Sequence, residues 1–157
     1  NELVGGPCYG HYHLLSSNID YGQDLLKLKR WYGEHREARP LGLAYWDYES
    51  VDPCVAGIDY FVAPSGPAPG VSIDAGTAGD LGPKPGWYAV NVNFLHGNQW
   101  PGRSAYPDLG FYGYFLEFTP VARAGHSIYI YHLTADDVNR VRVQLGLPTL
   151  DAEDSAR

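Results

Sequence analysis

Methionine is absent from this chain of 157 residues, which begins Asn1-Glu2-Leu3. Because translation starts at methionine, we expect the chain to be a processed form or a domain excised from a longer protein. No apolar run reaches the roughly 20 residues that a membrane-spanning helix needs, and no signal peptide is present. The sequence itself therefore predicts a globular unit whose upstream part has been removed.

Basic residues are scarce: 11 lysines and arginines stand against 18 acidic residues, giving a net charge of −7 without any basic run. This balance predicts no binding to nucleic acid or to an anionic membrane surface by charge. Hydrophobic residues make up 45% of the chain, which is enough for a packed core. We expect one domain over residues 1–150, followed by a polar tail at 151–157.

Cysteine is almost absent as well, with only Cys8 and Cys54. An oxidising compartment would permit a disulfide between them, but their positions favour opposite ends of the predicted sheet, so the pairing stays open. His11 and His13 share one face of a predicted strand, as zinc ligands sometimes do, yet no third ligand follows at a matching spacing. The sequence predicts neither a metal nor another cofactor.

Hydrophobic periodicity predicts alternating strands and helices. A strand is expected at 12–15, and Leu25, Leu28 and Tyr32 then recur at helical spacing. Further strands are expected at 41–46, 87–95 and 127–131, with a strand or extended edge at 58–62, a long surface loop at 64–85, a short helix within 109–118 and a turn at 120–125. Thr134 and Asp137 have the spacing of a helix cap, and Gly146 with Pro148 ends that helix. The order predicts a small layered α/β domain with a mostly parallel central sheet flanked by helices.

A polar turn over residues 16–25 links the first predicted strand to the first helix. Asp20 and Gln23 have the spacing of a capping pair, but capping does not account for the polar side chains of Asn18 and Asp24. Open α/β sheets bind ligands at the carboxyl ends of their strands, where Asp47 and later His132 would also lie. The candidate ligand-binding residues are Asn18, Asp20, Tyr21, Gln23, Asp24, Asp47, Glu49, Asn93 and His96. The alternative is that strand ends simply collect such caps and loop residues.

The residue types at this edge favour neutral hydroxylated ligands such as sugars, because carboxylates and amides pair with hydroxyls and aromatic rings stack on sugar faces. Phosphate is disfavoured, since Asp20 and Asp24 lie where an anion would sit and no Gly-x-Gly-x-x-Gly motif is present. Another alternative is a glycan-active hydrolase using Asp20 with Asp47 or Glu49 as its two carboxylates. No serine lies in a nucleophile-elbow pattern.

Two stretches carry a family resemblance: residues 1–7, Asn-Glu-Leu-Val-Gly-Gly-Pro, and residues 14–25, Leu-Leu-Ser-Ser-Asn-Ile-Asp-Tyr-Gly-Gln-Asp-Leu. The chain resembles a segment of bacterial multi-spanning membrane glycosyltransferases, in the broad class related to protein mannosyltransferases and aminoarabinose transferases. Residues 45–53, 86–97 and 120–133 fit the same pattern, so the resemblance covers nearly the whole chain. Its most specific part is the run from Asn18 to Leu25.

The resemblance implies a soluble extracytoplasmic, periplasmic domain that follows the last membrane helix of its parent. Enzymes of this class take sugars from polyprenyl-phosphate carriers, and their catalytic carboxylates lie in loops between early membrane helices. No catalytic residue is therefore expected in this chain. The resemblance implies a non-catalytic domain that binds or positions a sugar or an acceptor, tethered by removed upstream helices. The alternative is a stand-alone structural or binding module.

Overall fold

The structure, a computed structural model, describes residues 22–45, 52–67, 72–96 and 111–150. Within these ranges the chain forms three α-helices and five strands. The elements are, in chain order, α1 (Leu25–Glu34), β1 (Leu41–Ala44), β2 (Tyr60–Val62), β3 (Gly86–Asn91), α2 (Val92–His96), β4 (Ala122–Ala124), β5 (Ile128–Leu133) and α3 (Ala135–Gln144). Two 3₁₀ helices, Arg36–Ala38 and Gly113–Glu117, lie between them.

The strands form one mixed sheet in the order β2-β1-β3-β5-β4. β1 pairs in parallel with β2 on one side and with β3 on the other. β5 then runs antiparallel to β3, and β4 runs antiparallel to β5. The α/β class is confirmed, but the prediction of a mostly parallel sheet is wrong because its second half is antiparallel.

A tight hairpin reverses the direction of this second half. Residues 120–125 were predicted as a turn only, whereas Ala122–Ala124 forms β4 and pairs with β5 through the short loop 125–127. Gly125, at the start of the loop, has a φ of 73°, a left-handed conformation that glycine adopts without strain. Strands joined by so short a loop must be antiparallel, because a parallel connection needs a long crossover.

Both long helices pack as their sequence patterns predict, and the last helix also begins as predicted. In α1 the buried residues are Leu25, Leu28 and Tyr32, which form one apolar face. In α3 the Thr134 hydroxyl accepts a hydrogen bond from the Asp137 backbone N–H and donates one to the Asp137 carboxylate. The capping pair predicted for the last helix is therefore confirmed.

The predicted strand at 87–95 is wrong beyond Asn91, where the chain turns into α2. Apolar and polar residues alternate in this segment, but the alternation does not separate a buried face from an exposed one. Val92, Asn93, Phe94 and Leu95 are all buried. The predicted short helix within 109–118 is confirmed as the 3₁₀ helix Gly113–Glu117, and the extended edge at 58–62 as β2. The predicted strand at 12–15 lies outside the described residues.

Two apolar cores cover the two faces of the sheet, giving a three-layer arrangement. Residues alternate along β5: Ile128 and Ile130 face the core beneath α1, whereas Tyr129 and Tyr131 face the core beneath α3. Gly42 in β1 leaves room for the Tyr88 ring on the α3 side. Each fully buried large apolar side chain contributes about 1.5–3 kcal/mol, so both layers stabilise the strand ends that they cover.

A buried arginine ties α3 to the loop that precedes β3. The Arg142 side chain is fully buried, and its guanidinium donates hydrogen bonds to four backbone carbonyls. The carbonyls belong to Ala78, Leu81, Pro83 and Pro148. Burial lowers the pKa of Arg142, although the guanidinium remains charged because its ordinary value is so high. The Pro- and Gly-rich loop is thus held by the helix instead of by a core of its own.

Candidate functional site

The carboxyl ends of β1 and β3 lie side by side, as predicted for two parallel neighbours. Ala44, the last residue of β1, pairs with Val90, the penultimate residue of β3. Asn93 and His96 follow β3 within α2. Asp47 and Glu49, which follow β1 in sequence, lie outside the described residues, as do Asn18, Asp20 and Tyr21. The structure thus defines part of the predicted edge.

Asp24 occupies the N-cap position of α1, yet its side chain makes no capping hydrogen bond to the helix. One carboxylate oxygen, Oδ2, accepts hydrogen bonds from the backbone N–H of His126 (2.7 Å), the backbone N–H of Ser127 (2.9 Å) and the Ser127 hydroxyl (2.8 Å). The other oxygen, Oδ1, lies 2.9 Å from the Lys27 ammonium. The prediction that Asp20 caps this helix is wrong as to position, because Asp24 precedes the first helical residue.

The hydrogen bonds of Asp24 set its protonation state. Burial of the carboxylate by itself would raise its pKa, since only 3% of the residue is exposed. The Lys27 ammonium, the Ser127 hydroxyl and the two backbone N–H groups outweigh that effect, and the pKa of Asp24 is lowered. Asp24 is therefore an ionised anchor that joins the start of α1 to the β4–β5 loop.

Gly125 makes this joint sterically possible. A Cβ atom at this position would overlap the Asp24 carboxylate, and the positive φ disfavours any other residue. The β4–β5 loop thus approaches the carboxylate so closely that its backbone N–H groups at 126 and 127 can reach the same oxygen. Gly125, His126 and Ser127 were not among the predicted site residues.

The same loop also supports the end of β3. The Val92 backbone N–H donates to the Ser127 carbonyl (2.7 Å), and the Asn91 side chain accepts from the Asn93 backbone N–H (2.9 Å). Asn91 is fully buried and Asn93 is 3% exposed. These bonds end the strand and start α2, so buried amides hold the edge together from within.

The predicted candidates differ in their access to solvent. Gln23 is exposed, and His96 is half-buried, with burial lowering its pKa. Asp24 and Asn93 are buried. Only Gln23 and His96 therefore present side-chain surface to a ligand among the four candidates that the structure describes.

His132 lies at the opposite end of the sheet from this edge. Because β5 runs antiparallel to β3, His132 pairs with Trp87 at the start of β3, while Ile128 pairs with Asn91 at its end. The prediction that His132 joins the other polar residues is therefore wrong, for the reason that β5 has the opposite direction. Its place at the edge is taken by Ser127.

Metal-binding geometry is not found in the described part of the chain, where no three His, Cys, Asp or Glu side chains could hold an ion. Cys54 is exposed and free, and Cys8 lies outside the described residues.

Among the described residues, no helix is both long and apolar enough to cross a membrane. The chemistry of the described edge is that of an ionised, hydrogen-bonded carboxylate with amides and one imidazole.

Comparison with family models, curated proteins and solved structures finds no match to this chain.

Proposed function

We propose that this chain is a non-catalytic domain that binds or positions a sugar or an acceptor for a glycosyltransferase-like parent in the membrane. On this proposal the parent performs the chemistry and receives its sugar from a polyprenyl-phosphate carrier. The domain itself lies on the extracytoplasmic, periplasmic side, tethered by upstream membrane helices. The family resemblance of residues 1–7 and 14–25 supports this parentage.

The observation that supports a positioning role at this edge, rather than a catalytic role for Asp24, is the state of the Asp24 carboxylate. A general acid in glycoside cleavage needs a raised pKa and access to the bond that breaks. Asp24 has a lowered pKa, is buried, and has both oxygens engaged by protein donors. Protonation of this carboxylate would weaken the joint between α1 and the β4–β5 loop, so Asp24 suits a positioning role.

The chemistry of the accessible candidates supports a neutral, hydroxylated ligand. Gln23 offers an amide that donates and accepts, and His96 offers a half-buried imidazole. The net charge of −7 disfavours a ligand that would be recognised through its own anionic group alone. A sugar meets these conditions, whether free or carried on a lipid phosphate that another part of the parent binds.

The test is a titration of the 157-residue chain followed by backbone amide NMR, with neutral oligosaccharides and with a water-soluble, short-chain polyprenyl-phosphate sugar. We expect saturable shifts of the Gln23 and His96 amide signals with at least one of these probes. Gln23→Ala should weaken the binding, whereas Gln144→Ala, an exposed glutamine at the end of α3, should not. Titrations that leave both amides unchanged would overturn the sugar-positioning role.

A purely structural module is the second candidate, and the Asp24–Ser127 hydrogen bonds favour it directly. It predicts that Asp24→Asn lowers stability and that no probe binds at the edge.

A hydrolase using Asp20 with Asp47 or Glu49 is tested by a glycan panel. Hydrolysis that Asp20→Asn abolishes would contradict the non-catalytic proposal.

A further inference from the structure

Four aromatic rings stack at the end of the sheet opposite the Asp24 edge. Trp31 lies in α1 and His35 directly follows the helix, and their rings stack with centroids 4.3 Å apart and planes 13° from parallel. Across the β3–β5 pair, Trp87 and His132 stack at 4.4 Å and 19°. The two indoles meet at 5.8 Å and 48°. We call these four residues, Trp31, His35, Trp87 and His132, the ring strip.

The ring strip is partly exposed to solvent. His132 is exposed, whereas Trp31, His35 and Trp87 are half-buried. The two indoles also pack against the core beneath α1. Single exposed apolar residues are ordinary, but four contiguous rings that a helix and two strands hold in place form a surface of the kind that contacts ligands.

Hydrogen-bonding groups of the ring strip remain available. The Nδ1 atom of His35 lies 2.8 Å from the Trp31 carbonyl oxygen, which can only accept, so Nδ1 carries the proton and Nε2 of the neutral ring is an acceptor. Neither indole N–H in the strip donates to a protein group in the described structure. The strip thus combines apolar ring surface with donors and acceptors.

The charges around the ring strip restrict its ligand. None of its four residues carries a fixed charge, and Arg30, also on α1, pairs with Glu34 at 3.1 Å. A phosphate or nucleic acid ligand would need several cations, whereas the four ring residues supply no fixed cation and the exposed Arg36 next to His35 supplies one. The net charge of −7 also opposes such a ligand. A neutral sugar fits better, because its C–H face packs on aromatic rings while its hydroxyls bond to ring nitrogens.

The geometry points to the ring strip as a binding surface for a neutral saccharide, separate from the Asp24 edge. Trp87 pairs with His132 near the start of β3, whereas Asn91 ends the strand next to the edge. A strand rises about 3.3 Å per residue, so about 13 Å of β3 separates the two places and a single sugar ring cannot contact both. The inference does not depend on a glycosyltransferase parent.

The test uses the indole N–H signals of the intact chain, which has 4 tryptophans. Trp31→Phe and Trp87→Phe assign two of these signals. The chain is then titrated with cello-, malto-, manno- and chito-oligosaccharides, neutral sugars that differ in linkage and substituents. We expect one of them to shift the Trp31 and Trp87 signals together and saturably. His132→Ala should weaken that binding about three- to tenfold, because it removes one stacked ring.

Val143→Ala is the matched control, since Val143 is 64% exposed on α3 and lies away from the ring strip. It should leave the affinity unchanged. Because Trp87 packs partly into the core, the exposed His132 carries the affinity test, and an unchanged melting temperature for His132→Ala shows that the fold is intact.

The possible results separate this inference from the proposed function. Shifts confined to the Gln23 and His96 amides would overturn the ring-strip inference and support the edge as the sugar site. Indole shifts that follow protein concentration instead of sugar concentration would identify the strip as a contact between copies and would overturn it as well. Unchanged indole signals with all four sugar series would have the same consequence.

Discussion

The carboxylate of Asp24, next to the start of α1, accepts hydrogen bonds from both the backbone N–H (2.9 Å) and the hydroxyl (2.8 Å) of Ser127, next to the start of β5. The two residues are 103 positions apart in sequence. Their contact closes the edge at which β3 ends, because the Ser127 carbonyl also accepts from Val92. One buried carboxylate thus connects a helix, a hairpin loop and a strand end.

Asp24→Asn should lower the free energy of unfolding by about 2–4 kcal/mol, because an amide cannot accept all the hydrogen bonds that the buried carboxylate receives. Urea unfolding measures the change. Lys27→Ala is the control: its side chain is 55% exposed, so loss of this ion pair should cost less than about 1 kcal/mol. An Asp24→Asn protein as stable as the unaltered chain would show that the hydrogen bonds at this joint contribute nothing net.

Gly125→Ala should destabilise the protein for two reasons, a positive φ and overlap of the new Cβ with the Asp24 carboxylate. Gly57 has a similar φ of 78° but no atom within 4 Å of a new Cβ. Gly57→Ala therefore measures the backbone cost alone, about 1 kcal/mol, and Gly125→Ala should cost about 1–3 kcal/mol more. Urea unfolding of both variants compares them. Equal losses would show that the loop moves away from Asp24 at no cost.

The pH dependence of stability should reveal the lowered pKa of Asp24. When the folded-state pKa lies below the unfolded-state value, the unfolded chain binds more protons between the two values. The contribution of Asp24 is thus complete above about pH 4 and is lost as pH falls through the folded-state pKa. The difference in stability between the unaltered chain and Asp24→Asn should shrink as pH falls from about 7 to about 2. A stability difference that does not change over this range would contradict this account.

Arg142→Lys should destabilise the chain by about 2–4 kcal/mol, because an ammonium cannot reach four carbonyls in the directions that the guanidinium serves. Hydrogen exchange should show faster opening of the loop 72–85 in this variant. Arg140→Lys is the matched control, since Arg140 is an exposed arginine on the same helix. If both substitutions have the same effect, the hydrogen bonds from Arg142 to the four carbonyls do not hold the loop.

Local chemistry made both long helices predictable. Thr134 and Asp137 cap α3 through contacts within one turn, and Leu25 and Leu28 face the core because helical spacing puts them on one side. Such patterns depend only on near neighbours in sequence. The same reasoning gave the adjacent carboxyl ends of β1 and β3, since residues 41–46 and 87–95 both read as buried strands.

The direction of β5 and the contact between residues distant in sequence were not predictable. Periodicity is the same for parallel and antiparallel strands, so nothing in residues 127–131 marked β5 as antiparallel, and His132 was placed at the wrong end. Asp24 was predicted as a ligand-binding candidate, because the capping pair Asp20 and Gln23 left it without a local role. Its partner Ser127 lies across the fold, and only Gly125, a turn residue, gave a local signal for the close approach.

The central claim is that the domain binds a sugar without cleaving it, and the most direct test records protein and glycan NMR signals in the same sample. The 157-residue chain is mixed with neutral oligosaccharides and with the short-chain polyprenyl-phosphate sugar, and protein amide shifts and sugar anomeric signals are recorded over time. We predict saturable amide shifts at Gln23 and His96 with anomeric signals that stay constant. New reducing-end signals, or titrations in which both amides never move, would contradict a domain that holds a sugar without cleaving it.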